Sequence, residues 1–222
     1  MTSQEAYINF LNLANKLNSN DDVNIDIGRF VLLYNKNAKI WLDKKIRKGK
    51  STQAIDEVQQ LVKENFPLTI SSVETDYVNF NLPDDWFEHI GGYAICTQGA
   101  CKGKVINANQ VKNDNKRLIL FDENWRPDFD FEWLPITIAG DKIQVYFKDF
   151  TVDSFSLDYF IYPKDIDIEG YIKADNVTAS TTINPDLDDI YVNEIIDLVV
   201  ADVSRIYQNV EKMQLDLNRI QQ

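Results

Sequence analysis

The chain has 222 residues, of which 44% are hydrophobic and 26% charged, with a formal net charge of -12 at pH 7. That apolar share excludes global disorder, and the length suits one large domain or two small ones. The negative field opposes general nucleic-acid binding unless a local basic patch overrides it.

A first helix is predicted from near Ser3 to Leu17, with Ala6, Tyr7, Phe10, Leu11, Ala14 and Leu17 on one face. Ser19 to Asp22 break it. A second helix starts near Asp26 and carries Ile27, Phe30, Val31, Tyr34, Ala38, Trp41 and Leu42. Lys44, Lys45, Arg47 and Lys48 crowd its last turns before Gly49, which suits the negative end of a helix dipole. Ser51 or Thr52 caps a predicted third helix bearing Ile55, Val58, Leu61, Val62 and Phe66, ended by Pro67.

From Leu68 to about Ile183 the period changes to two. Strands are expected at Thr75 to Leu82, Tyr93 to Cys96, Gly103 to Ile106, Arg117 to Phe121, Ile143 to Phe147 and Phe155 to Tyr162. Gly91-Gly92, Asn113 to Asn115, Gly140-Asp141 and Tyr162-Pro163 read as turns of an antiparallel sandwich or barrel. Cys96 and Cys101 flank a Gly-containing hairpin loop; reduced thiols, a disulfide and a metal site are all open readings, and the reduced pair is favoured.

Asn184-Pro185-Asp186 then opens a long C-terminal helix: a cap residue, Pro at the first position and acids in the first turn. Its apolar residues, Ile196, Val199, Val203, Ile206, Val210, Met213, Leu217 and Ile220, alternate by threes and fours, the spacing of a narrow seam. From Pro185 to the end the helix would be roughly 57 Å long, against a radius of gyration of about 17 Å for a compact chain of this size. Flanking positions lack the Glu/Lys pairing of a homodimeric coiled coil. The first half has a broad apolar face (Leu187, Ile190, Tyr191, Ile195, Leu198) that suits packing on the N-terminal helices. The second half suits docking on a neighbour through Tyr207, Val210, Met213, Leu217 and Ile220. An intramolecular bundle over the whole length is the alternative.

The predicted architecture is α+β: N-terminal helices and a long C-terminal helix flank an antiparallel β-sandwich or barrel. Residues 1–66 form a helical segment, 67–183 a β-rich domain, and 184–222 the helix that packs on the first segment and projects as an arm.

Chemical motifs are sparse. Asp128 to Trp133 (DFDFEW) reads as a strand with three carboxylates on one face, and Asp128, Asp130 or Glu132 could serve a glycan hydrolase. A solvated acidic face is the plainer reading. Asp165 to Gly170 resembles the start of an EF-hand loop, but Asn176 stands where a bidentate Glu is needed. Asp22 to Asp26 fails likewise, with Ile27 at the Gly position. Lys44 to Lys50 is a cationic helix end before it is a phosphate patch. His89 stands in a predicted single turn without a nucleophile signature, and no Gly-rich phosphate loop, GxSxG or HExxH occurs. The expectation is a non-enzyme with no catalytic residue, cofactor or metal. No apolar run reaches the roughly 18 residues of a membrane span, and MTSQEAYINF lacks a signal pattern, so neither secretion nor a membrane partner is expected.

Several segments carry a family resemblance: Phe131 to Pro135 (FEWLP) running into Ile138 to Tyr146 (IAGDKIQVY), Ser156 to Pro163 (SLDYFIYP) with Ile168 to Ile172 (IEGYI), and Asn184 to Leu187 (NPDL) with Ile190 to Asp197 (IYVNEIID). Together they resemble virion structural proteins of crAss-like tailed bacteriophages. The resemblance implies a ring or adaptor protein of the neck and tail, a head–tail connector stacked below the portal. Its partners would be a homo-oligomeric ring of about twelve copies, the portal protein and other neck or tail rings. Genome DNA would pass through without specific binding, and the protein would be assembled in the host cytoplasm. The second expectation is a carbohydrate- or receptor-binding tail module, with Trp125, Trp133 and Tyr146 stacking on sugars.

Overall fold

The computed structural model describes residues 1–17, 25–48, 58–173 and 177–220, with side chains up to Asn15 in the first helix, Arg47 in the second and Ile206 in the last. The chain divides into two compact units, Met1–Gln60 with Pro163–Gln222, and Leu61–Tyr162.

The first unit holds α1 (Ser3–Leu17) and α2 (Ile27–Lys48), both lying against a C-terminal helix, Asp189–Ile220. Helix α1 opens with a capping box: the Thr2 amide donates to Glu5 Oε2 at 2.7 Å and the Glu5 amide to Thr2 Oγ1 at 3.2 Å. Asp26 caps α2 by accepting from the Arg29 amide at 2.8 Å. Phe30 is buried between Phe10 and Tyr34, with ring centroids 5.1 and 5.9 Å away. The helical stripes read from the sequence thus face one another. Residues 163–183 belong to this unit too, held by bridges pairing Asp167 with Ile183 and Ile172 with Thr178.

The second unit is a curled eight-stranded sheet. Its strands are β1 (Val62–Pro67), β2 (Ile70–Val73), β3 (Tyr77–Asn81), β4 (Trp86–Gln98), β5 (Cys101–Gln110), β6 (Leu134–Ala139), β7 (Lys142–Tyr146) and β8 (Thr151–Ile161). The order is β1-β8-β4-β5-β6-β7-β3-β2. Alternate residues (Val78, Phe80, Ala94, Cys96, Ile106, Leu134, Ile136, Ile143, Val145, Phe155 and Leu157) enclose the core on one face. The α+β class holds, but the sheet is mixed: β5 and β6 run parallel, pairing Ala108 with Leu134 and Gln110 with Ile136. A parallel pair needs a long crossover. Residues 111–133 supply it and contain a short helix, α3 (Lys116–Phe121); the C-terminal helix is therefore α4.

Six local expectations are corrected. The predicted third helix becomes a 3-10 turn (Gln59–Leu61) and strand β1, and its part at 51–57 lies outside the described residues. Pairing with β8 overrides the helical spacing of Val62 and Phe66, and Asn65 at φ 54° is incompatible with a helix interior. Arg117 to Phe121 is helix rather than strand, because a short apolar run does not reveal its period. Asp128 to Trp133 is a loop closed by a bridge between its two ends. His89 and Gly91-Gly92 lie inside β4 rather than in a turn, where a Cβ on Gly92 would meet the Ser156 carbonyl oxygen at 2.7 Å. The close approach of β8, not a reversal, accounts for glycine there. Finally, α4 starts at Asp189, because Asn184 Oδ1 accepts from the Ser3 amide at 3.0 Å and Asp186 from the Lys164 amide at 3.2 Å. Both potential caps are used elsewhere, and the helix is about 48 Å long.

Candidate functional site

The apolar seam of α4 is buried as far as Val203. Val192, Ile195, Ile196, Val199, Val200 and Val203 are buried, Val203 to 2% exposure. One step further along the seam, Ile206 is 39% exposed, yet the helix runs on to Ile220. The side chains of Tyr207, Val210, Met213, Leu217 and Ile220 lie outside the described residues.

Where α4 is buried, it is anchored by polar contacts. Trp41 Nε1 donates to Glu194 Oε2 at 2.7 Å, and Lys45 Nζ pairs with the same carboxylate at 3.0 Å while lying over the Trp41 and Tyr191 rings. Burial resists ionisation of Glu194, but the Trp41 and Lys45 hydrogen bonds outweigh it and hold the carboxyl below its usual range. Asp202 is treated likewise: burial opposes its charge, and Asn37 Nδ2 at 3.2 Å and Lys36 at 3.4 Å more than offset that. Of the basic helix end, Lys45 and Arg47 are committed to Glu194 and Asp43. The end of that run, Gly49 and Lys50, lies outside the described residues.

The crossover carries the second feature. Ile119 of α3 is buried with Val111 and Tyr146, while Leu118 and Phe121, three apart and on the outer side, are 40% and 77% exposed. A shallow depression beside them is lined by Arg117, Leu118, Phe121, Asp122, Glu123 and Asn124. The Trp125 amide donates to the Asp122 carbonyl at 3.1 Å, so Trp125 follows in a tight turn, itself partly exposed. At the tip of the next loop Phe131 is 87% exposed. The prominence of Phe121 and Phe131 was not legible in the chain, since both sit in apolar-periodic stretches that read as strands.

Two of the carboxylates of that loop are engaged in holding it. Asp128 and Trp133 exchange two backbone hydrogen bonds of 2.9 Å, and Asp128 Oδ1 accepts from the Phe131 amide at 2.8 Å. Glu132 has φ 55° and pairs with Lys104 at 3.3 Å, and Lys104 also donates to the Phe129 carbonyl at 2.8 Å. Asp128 and Glu132 thus hold the loop, and Asp130 is exposed beside the buried Phe129. The sugar-stacking trio is not a platform either. Tyr146 is fully buried with its hydroxyl bonded to Thr137 and Gln144, both at 3.1 Å, and Trp133 packs edge-on to Trp125.

Asp165 pairs with Lys39 and Asp167 with Lys173, and the intervening Ile166 and Ile168 point into the core. Among the described residues no group of three or more His, Cys, Asp or Glu side chains is placed to hold a metal ion. Cys96 and Cys101 are both free thiols; burial pushes the Cys96 thiol up to about 12, so it is inert as a nucleophile. His89 is held neutral, burial lowering its pKa against a hydrogen bond with Gln110 and the charge of Asp158. No helix among the described residues is long and apolar enough to cross a membrane. In comparisons with protein-family models and with curated proteins, the chain matches none.

Proposed function

We propose that this chain is a non-enzymatic structural subunit that assembles with copies of itself into a closed ring. By its resemblance to crAss-like phage virion proteins, the ring belongs to the neck or tail, as a head–tail connector or adaptor below the portal. One observation carries the assembly reading: along the apolar seam of α4 exposure rises from 2% at Val203 to 39% at Ile206, and the same spacing of apolar residues runs on in the sequence to Ile220. A seam of that kind is stable when another surface covers it. Rings close through head-to-tail contacts, in which an arm on one subunit meets a different surface on the next. The -12 charge suits a channel that lets DNA pass, since an acidic wall repels phosphate.

The test compares the full chain with a chain ending at Ile206, by mass photometry and by co-sedimentation with the portal of the same phage. The full chain is expected to form rings and bind the portal, and the shortened one to do neither. Retention of both by the shortened chain would sink the reading.

A further inference from the structure

We infer that the small cleft where the crossover lies against the end of β7 binds one monovalent anion of halide size, held by Arg126. The cleft has a volume of about 20 Å³, room for one water-sized particle and too little for sulfate or phosphate. Ile119, Leu120, Arg126 and Pro127 line it from the crossover, and Asp76 and the run Tyr146 to Lys148 line it from the sheet. All of these residues belong to the β unit.

Arg126 makes this an anion site rather than a gap in the packing. Its Nε is buried and meets no acceptor in the protein, while Nη2 pairs with Glu123 Oε1 at 3.2 Å. Glu123 is 85% exposed, so water screens that pair. A guanidinium keeps its charge at every working pH, and its burial is not relieved by losing a proton. A buried charged donor that lacks an acceptor costs more than a neutral one. Lys148 brings a second positive charge to the lining and forms no ion pair among the described residues.

The rest of the lining favours an anion over a water, which must donate as well as accept and typically makes three bonds when buried. The Tyr146 hydroxyl is engaged with Thr137 and Gln144, both at 3.1 Å, and the Asp76 carbonyl accepts from the Phe147 amide at 3.0 Å. Ile119, Leu120 and Pro127 add hydrocarbon. The Asp76 carboxylate is the acceptor left over; that residue is exposed and pairs with neither cation. A halide only accepts, and it needs an N–H donor, nearby positive charge and apolar contact, which this lining supplies. Bound there, the ion joins the crossover to the end of β7 and offsets a charge that folding buries.

The test exchanges gluconate, too large for the cleft, for chloride or bromide at constant ionic strength, on the full chain. The thermal midpoint is expected to rise saturably, by about 2–4 °C. Arg126→Lys keeps the charge but lacks the Nε donor, and it is expected to lose that rise. Lys148→Gln, at an exposed position where folding is insensitive, is expected to weaken the apparent affinity by about threefold or more. In crystals grown with bromide, an anomalous peak is expected against Arg126 Nε. A midpoint that does not respond, or responds equally in Arg126→Lys, overturns the inference. So does a water bridging Arg126 to Asp76 in the bromide crystals. A bromide peak with no midpoint response marks an adventitious ion only, and overturns it as well. Each of these results leaves the assembly reading as it stands.

Discussion

Trp41, Lys45 and Glu194 form a polar contact that helps seat α4. Trp41→Phe keeps the ring stacked near Tyr191 but removes the 2.7 Å hydrogen bond to a carboxylate. The expected cost is about 1 kcal/mol, at the low end for a bond to a charged group because Glu194 is partly exposed to solvent; urea unfolding at pH 7 measures it. In the β unit, Asp85 plays the corresponding part: burial opposes its charge, and hydrogen bonds from Lys63 and the Tyr159 hydroxyl, the latter at 3.0 Å, more than compensate. Asp85, Glu194 and Asp202 therefore titrate below their ordinary range when folded and within it when unfolded. The unfolded chain takes up protons first, so this stabilisation is complete above about pH 5 and is lost as pH falls through about 4 and below. The urea midpoint is expected to fall between pH 6 and pH 3, roughly, and Tyr159→Phe to flatten that fall by removing one cause of the depressed Asp85 value. An unchanged midpoint across that range would mean these carboxylates contribute nothing through ionisation.

Among the elements, β4 and β8 illustrate how neighbours decide what a residue means. Gly91-Gly92 has the composition of a turn, yet β4 runs through it, with a register shift between His89 and Gly91. Gly92→Ala would push a Cβ to 2.7 Å from the Ser156 carbonyl oxygen, a backbone atom that cannot rotate away. A loss of about 1–3 kcal/mol is expected, readable as a lowered thermal midpoint, whereas an alanine in a true turn would cost less. The same dependence on neighbours explains β1 and α3. Val62 and Phe66 have helical spacing but become strand because β8 offers hydrogen bonds to them. Leu118 to Phe121 has strand-like composition but becomes helix, because a crossover between parallel strands must turn back over the sheet and bury Ile119 against Tyr146. The strongest strands, β7 and β8, and the long helices α1 and α2 were legible within a few residues, since each carries a period repeated often enough to leave one reading.

For the whole molecule, the division of labour along α4 yields the broadest prediction. Among the described side chains of α4 the buried stripe runs to Val203, and a chain ending at Ile206 keeps all of it. The shortened chain is expected to keep its thermal midpoint within about 2 °C while losing self-association, a separation that scanning calorimetry and mass photometry together can read. A large drop in the midpoint would instead mean that the last turns complete the unit's own core. The amphipathic helices, the switch to period two, the acidic charge and the seam to Ile220 all follow from local order in the chain, because periodicity and charge need no partner to be recognised. Which strands are neighbours, that β5 and β6 run parallel, that Tyr146 is buried while Phe121 is exposed, and that Val203 is buried while Ile206 is partly exposed were decided only by the folded arrangement. Those facts depend on contacts between residues far apart in the chain, and a local pattern of side chains cannot say which distant surface will cover it.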